Sequence, residues 1–276
     1  LNLSHMIRSS SMTFRLTALA FLALAIFPPE STAQVVVRSA LAQSEEASPG
    51  TTYEGTIELF NQGDTSRTAE VSLRDYTFSY DGTTSYEDPG SHKRSNAPWI
   101  DYGGSRVDVP PGEEVEVTYQ VDVPSSVNGE APAGTYWSMV LVEPLNQPSV
   151  SADGGIAVQQ VRRYGIQVAT QIRDTGTPEL GLLSTDLQRE DDQTVLSLAV
   201  ENTGTRMDQP KAQIELYGDS GNLAFEQQTS PKRIYPGTSV RYRIDLSGVA
   251  PGNYQALLVL QADVASPIGR QFTVEL

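Results

Sequence analysis

Gly134-Thr135-Tyr136-Trp137-Ser138-Met139-Val140-Leu141-Val142 is an apolar run opened by Gly-x-Tyr, and it closes a three-part signature that the chain writes twice. The first copy is Asn61/Gly63, Pro111/Gly112 and Gly134/Tyr136. The second is Asn202/Gly204, Pro236/Gly237 and Gly252/Tyr254, in the same order. A shared compositional bias would not repeat three unrelated motifs in one sequence, so two structurally equivalent modules are expected.

Each part has its own physical cause. Asn-x-Gly supplies residues that tolerate positive φ where a strand reverses. Pro-Gly leads into Val115, Val117 and Tyr119 in one copy and Val240, Tyr242 and Ile244 in the other, the period-two pattern of a half-buried strand. The runs after Gly-x-Tyr, from Trp137 to Val142 and from Gln255 to Leu260, are apolar on both faces and belong in the middle of a sheet. The tyrosine that opens each run suits a tyrosine corner, its hydroxyl reaching nearby backbone, or ordinary core packing. With regular turn signals and no sustained helical period after residue 33, the chain is predicted to be all-β, with two tandem immunoglobulin-like β-sandwich domains.

The 276 residues are enough for two domains with separate cores. Residues 1–33 carry Arg8 and Arg15, a twelve-residue apolar stretch from Leu16 to Phe27, two prolines and a Ser31-Thr32-Ala33 cleavage pattern. This reads as a cleaved secretory signal peptide, too short to span a bilayer, and no later segment is long and apolar enough to do so. The expected domains are 34–174 and 175–276, divided by turn chemistry at Asp174 to Pro178. The chain has no cysteine, so neither disulfides nor a cysteine-linked lipid contribute. After residue 33 it holds 17 basic and 33 acidic residues. Such a surface excludes nucleic acid as a partner, since that needs a basic face.

Strands are expected at Gln34 to Ala40, Thr52 to Asn61 and Glu70 to Tyr80, then an exposed loop from Thr83 to Pro98. A loop from Leu145 to Gly155 and one long last strand, Ile156 to Ile172, end the first domain. The second domain is expected to use Leu180 to Arg189, Thr194 to Glu201, Ala212 to Tyr217, Val240 to Leu246, Tyr254 to Ala262 and Gln271 to Leu276.

Reactive groups are scarce. His92 is the one histidine after residue 33; it reads as solvated, and no Gly-x-Ser-x-Gly accompanies it. Thiol chemistry and multi-histidine metal sites are excluded. The paired carboxylates Glu113/Glu114 and Glu190 to Asp192 fall at turns, where they are solvated. No enzyme, metal or cofactor is therefore expected. What remains is recognition by strand addition at a sheet edge, where main-chain hydrogen bonds supply affinity. Arg38 lies on the opening strand, and Arg162 and Arg163 interrupt the last one; an arginine so placed either snorkels to solvent or binds an anion such as a carboxylate. Trp99 and Trp137 either pack in the core or stack on sugars.

Gln34 to Arg38, Trp99 to Gly112, Tyr136 to Pro144 and the arginine-bearing strand from Ile156 together resemble the first domain of periplasmic pilus chaperones of the PapD-like family. The stretch Asn96 to Ile100, through Pro111-Gly112 to Tyr136, also resembles tandem immunoglobulin-like surface proteins of the WxL-interacting type. The first resemblance implies that Arg38 and Arg162 or Arg163 anchor the terminal carboxylate of a fibre subunit. The expected function is then that of a non-enzymatic exported protein, chaperone-like in surface or fibre assembly, with a secreted or surface protein subunit as partner. The second resemblance implies a wall-associated module whose first domain binds peptidoglycan or another cell-wall glycan, for which Trp99, Trp137 and the Tyr-rich stretch from Tyr76 to Tyr86 are the candidate stacking residues. Either places the protein in the periplasm or at the cell surface.

Overall fold

The computed structural model describes residues 35–145, 150–151, 157–158, 162–190, 193–263 and 265–276. The expected signal peptide and Asp191-Asp192 lie outside them. The first sandwich contains β1 (Val35–Val37), β2 (Ala42–Ala47), β3 (Thr52–Asn61), β4 (Arg67–Phe78), β5 (Thr84–Glu87), β6 (Ile100–Asp101), β7 (Arg106–Val109), β8 (Glu114–Asp122), β9 (Thr135–Pro144), the short pair β10 (Val150–Ser151) and β11 (Ala157–Val158), and β12 (Tyr164–Ile172). One sheet runs β1-β3-β8-β6 and the other β2-β12-β9-β4, with β5 and β7 both pairing with β4. The second sandwich contains β13 (Leu180–Glu190), β14 (Gln193–Asn202), β15 (Lys211–Tyr217), β16 (Leu223–Gln228), β17 (Ser239–Asp245), β18 (Asn253–Gln261) and β19 (Ile268–Glu275). Its sheets run β13-β14-β17 and β16-β15-β18-β19.

The period-two reading accounts for the cores. In β8, Val117, Tyr119 and Val121 are buried while Glu116, Thr118 and Gln120 face out. They meet Val71, Val140, Ile166 and Val168 of the opposite sheet. The second core joins Leu196, Leu198 and Tyr242 to Ile214, Leu216 and Leu258. Both runs after Gly-x-Tyr are central, β9 between β12 and β4 and β18 between β15 and β19.

The repeated signature works differently from the turn expected of it. Asn61 and Asn202 are fully buried and make the same four-point junction. Asn61 donates through Nδ2 to Thr65 O and Val109 O and accepts from Gly63 N. Asn202 donates to Arg206 O and Ile234 O and accepts from Gly204 N. Its backbone oxygen then receives the N–H of the Pro-Gly glycine, Gly112 to Asn61 and Gly237 to Asn202. Positive φ belongs to Gly112 (68°) and Gly237 (76°), not to the Asn-x-Gly residues. The signature is thus a hydrogen-bonded clasp between two distant turns, because a buried amide can satisfy carbonyls that water cannot reach. The tyrosine corner is formed in the second copy only, where Tyr254 Oη donates to Ala250 O; Tyr136 packs against Trp99 at 4.6 Å between ring centroids.

Three segments depart from expectation. The opening strand divides: β1 pairs antiparallel with β3, and after Arg38 the chain crosses to the other sheet, where β2 runs parallel to β12. The segment Thr83 to Pro98 is no continuous exposed loop, since β5 pairs with β4 and Ser95 and Asn96 are buried. Asp75 holds it in place, accepting from His92 N at 2.7 Å and from Ser95 Oγ at 2.5 Å. The expected strand Ile156 to Ile172 is two pieces, β11 and β12, so Arg162 and Arg163 precede β12 in irregular backbone. β16 also forms, in a polar stretch whose apolar alternation is too weak to mark it.

A third cluster, Tyr76, Trp137, Met139, Ala169, Met207 and Tyr235, joins the two sandwiches. Trp137 stacks on Tyr235 at 4.9 Å with 10° between planes. Beside them Arg206 reaches Glu46 and the carbonyls of Ile172 and Thr175. Thr135 N donates to Thr205 O, and Met207 N donates to Thr135 Oγ1. This approach requires glycine at 134, where φ is +77° and a Cβ would lie 2.0 Å from Thr205 O.

Candidate recognition edge and groove

β12 is covered unevenly. Along β9 it is paired from Tyr164 to Gln171, but β2 faces only Gln167 to Ile172. Ile172 N bonds Gly134 O on the β9 side, while Gln167 N bonds Leu41 O on the β2 side. Because successive residues of a strand direct their N–H and C=O to opposite edges, Gly165 presents both groups to the edge that β2 leaves open. Among the described residues no strand lies there. A short edge of this kind can accept an extended partner.

The outer face of the same sheet carries a groove of about 610 Å³ that runs across β4 and β9 to the start of β12, lined by Glu70, Arg74, Met139, Leu141, Glu143 and Arg163 among others and reaching the open edge at Gly165. Gly165 keeps its floor open, since a Cβ there would lie 2.5 Å from Met139 Sδ. Met139 and Tyr86 also line a second hollow of about 410 Å³, which continues toward Lys232 and Arg233 of the second sandwich. Tyr86 is 56% exposed, an uncommon state for a large aromatic side chain beside a hollow.

Arg163 borders the groove and its Nε bonds Glu143 Oε2 at 2.5 Å; Arg162 is exposed beside it. Arg38 lies elsewhere. Its guanidinium covers the Phe60 ring at 3.4 Å and donates to Glu114 Oε2 at 3.1 Å, on the β1-β3-β8-β6 sheet. Arg38 and Arg163 therefore each hold a carboxylate of this chain and share no clamp. Trp137 is 1% exposed, donates Nε1–H to Tyr76 O and has one ring face on Tyr235, while Trp99 is half-buried against the first core. Both rings thus pack on residues of this chain, Trp137 completely and Trp99 in part.

His92 is half-buried, its ring 4.8 Å from that of Trp137, and burial lowers its pKa from the ordinary value while Asp75 opposes the shift. Its Nδ1 accepts from Arg94 N. Its contacts among the described residues, Asp75, Arg94 and Trp137, are those of a packed histidine. Glu114 of the adjacent pair Glu113/Glu114 is engaged by Arg38. Among the described residues no group of three histidines or carboxylates could hold a metal ion, and no helix is long and apolar enough to cross a membrane.

The sequence reading passed over Gly165, Met139, Tyr235 and Arg233. One signal was present: Tyr235 stands immediately before Pro236-Gly237, where the first copy has Pro110. A large aromatic at an otherwise repeated turn marks a position with a contact that the first copy lacks.

No family model matches the sequence, and no curated protein matches it. Solved structures similar to it include the chaperone–tip adhesin complex of CFA/I fimbriae biogenesis, at 11% identity over 87% of this chain and 98% of that one, TM-score 0.46. The class 5 fimbriae chaperone CfaA has 10% identity over 88% and 100%, TM-score 0.44. The CsuC–CsuE chaperone–tip adhesion subunit complex of Csu pili from Acinetobacter baumannii has 13% identity over 78% and 94%, TM-score 0.42.

Proposed function

We propose that this is a non-enzymatic, exported protein-binding protein that holds an extended segment of a secreted or surface subunit by strand addition, as a chaperone-like factor in fibre or surface assembly. The observation that carries this reading is the open edge at Gly165, set against the groove floored by Met139. An added strand there gains backbone hydrogen bonds, and its alternate side chains fall into the groove. Arg162 and Arg163 flank the start of that edge. Exchange of Glu143 for a partner carboxylate at Arg163 conserves the ion pair, so it favours register over raw affinity.

The test is affinity capture from envelope extract with wild type, Gly165→Pro and Arg163→Ala, each verified as folded by circular dichroism. Gly165→Pro removes the outward N–H and is expected to lose the captured subunit, and Arg163→Ala to weaken its retention. Full recovery by Gly165→Pro defeats strand addition at this edge.

A further inference from the structure

The second hollow holds donors that its own chain satisfies only in part. Arg233 lies within reach of the Tyr235 hydroxyl, but its Nη1 is buried from solvent and has no acceptor among the described residues. Tyr76, 3% exposed, places its hydroxyl near that of Tyr235, but the Tyr235 hydroxyl donates to Gln167 Oε1 and Tyr76 Oη makes no hydrogen bond of normal geometry. Both residues line the hollow, together with Lys232. Buried donors without acceptors are uncommon, and a guanidinium nitrogen costs more to leave unpaired than a neutral group. Arg233 also acts electrostatically on both phenols, which places its charge at this spot.

We infer that this hollow is a carboxylate pocket, filled by an Asp or Glu side chain of the polypeptide that occupies the groove. Three features favour a side chain within a segment. The hollow shares Met139 and Tyr86 with the groove, so the two adjoin and a segment lying in the groove can set a side chain in the hollow. Arg74 and Arg163 lie further along the groove. The protein as a whole carries a net charge of −15, whereas the lining of the two hollows sets Arg74, Arg163, Lys232 and Arg233 against Glu70 and Glu143, with Arg163 already paired to Glu143; the cationic surplus lies at Lys232 and Arg233, where it favours an acidic partner. Tyr76 Oη and Arg233 Nη1 would each donate to the carboxylate, and bonds to an ionised acceptor are about twice as strong as neutral ones. This inference rests on the proposed function, in that the groove holds a polypeptide.

Phage-displayed random dodecapeptides selected on the protein test it. The selection is repeated on Arg233→Met, which keeps the apolar stem, and on Arg243→Ala, an exposed arginine of β17 that lines neither hollow; thermal melts confirm that both are folded. The expected result is a peptide family with an Asp or Glu at one fixed position, enriched on wild type and Arg243→Ala and absent on Arg233→Met. A synthetic twin with Gln or Asn at that position is expected to bind about tenfold more weakly to wild type and equally to Arg233→Met. Enriched peptides with no fixed acidic position, or an acidic position retained on Arg233→Met, overturn the carboxylate pocket while leaving peptide binding standing. No enrichment of any peptide overturns both.

Discussion

Asn61 and Asn202 show what a single repeated residue does in this protein. Each amide closes two carbonyls and one N–H within a dry junction, so Asn61→Ala and Asn202→Ala should each cost about 2–4 kcal/mol, the sum of stranded buried acceptors. Urea denaturation measures this; a loss below about 0.5 kcal/mol, the range of an ordinary surface substitution, would contradict the clasp. The sequence identified both asparagines but assigned them to backbone reversal, because turn propensity is local and the carbonyls they meet are 48 and 32 residues away. His92 was read as solvated for the same reason: its charged neighbours Lys93 and Arg94 are visible in sequence, and Trp137 is not. Burial lowers its pKa, so the folded state disfavours the imidazolium. Its contribution is present in full above the unfolded value near 6.5 and is lost as pH falls through the depressed folded value. Melting temperature between pH 7.5 and 5 should therefore fall more steeply in wild type than in His92→Gln. Parallel slopes would contradict the shift.

At the scale of elements, alternation located the long core strands, because a two-residue period survives whichever sheet the strand joins, but it missed the short or polar β2, β5, β6, β10 and β16. It could not locate the crossing at Arg38, since β1 is three valines while β2 is a polar run with no apolar alternation, and only the pairing reveals that the chain has changed sheets. Nor could it separate β11 from β12, since apolar residues recur on both sides of Arg162 and Arg163, which lie in irregular backbone just before β12. The recognition edge depends on that boundary, and so the arginines expected within a strand stand at its entrance. Gly165 defines the edge and the groove floor together. Gly165→Val should displace only the flexible Met139 side chain, changing stability by less than about 1 kcal/mol, yet fill the groove and reduce partner capture severalfold. Unimpaired capture by a folded Gly165→Val protein would remove the groove from recognition.

For the whole molecule, the cluster around Trp137 and Tyr235 makes the sandwiches one cooperative body. Stacked rings, the Arg206 contacts and the backbone bonds at Thr135 are all lost if either sandwich unfolds alone. Calorimetry should therefore record one transition for wild type and two for Tyr235→Ala, which removes the stack; two transitions in wild type would contradict the coupling. The same junction borders the second hollow, lined by Lys232 and Arg233, so the proposed recognition draws on both sandwiches. The central claim is that a partner segment adds a strand beside Gly165, and amide hydrogen exchange resolved by NMR on the captured complex tests it most directly. The predicted result is protection of the Gly165 amide on binding, with the edge amides of β19 unchanged. An exchange rate at Gly165 equal in free and bound protein would contradict it.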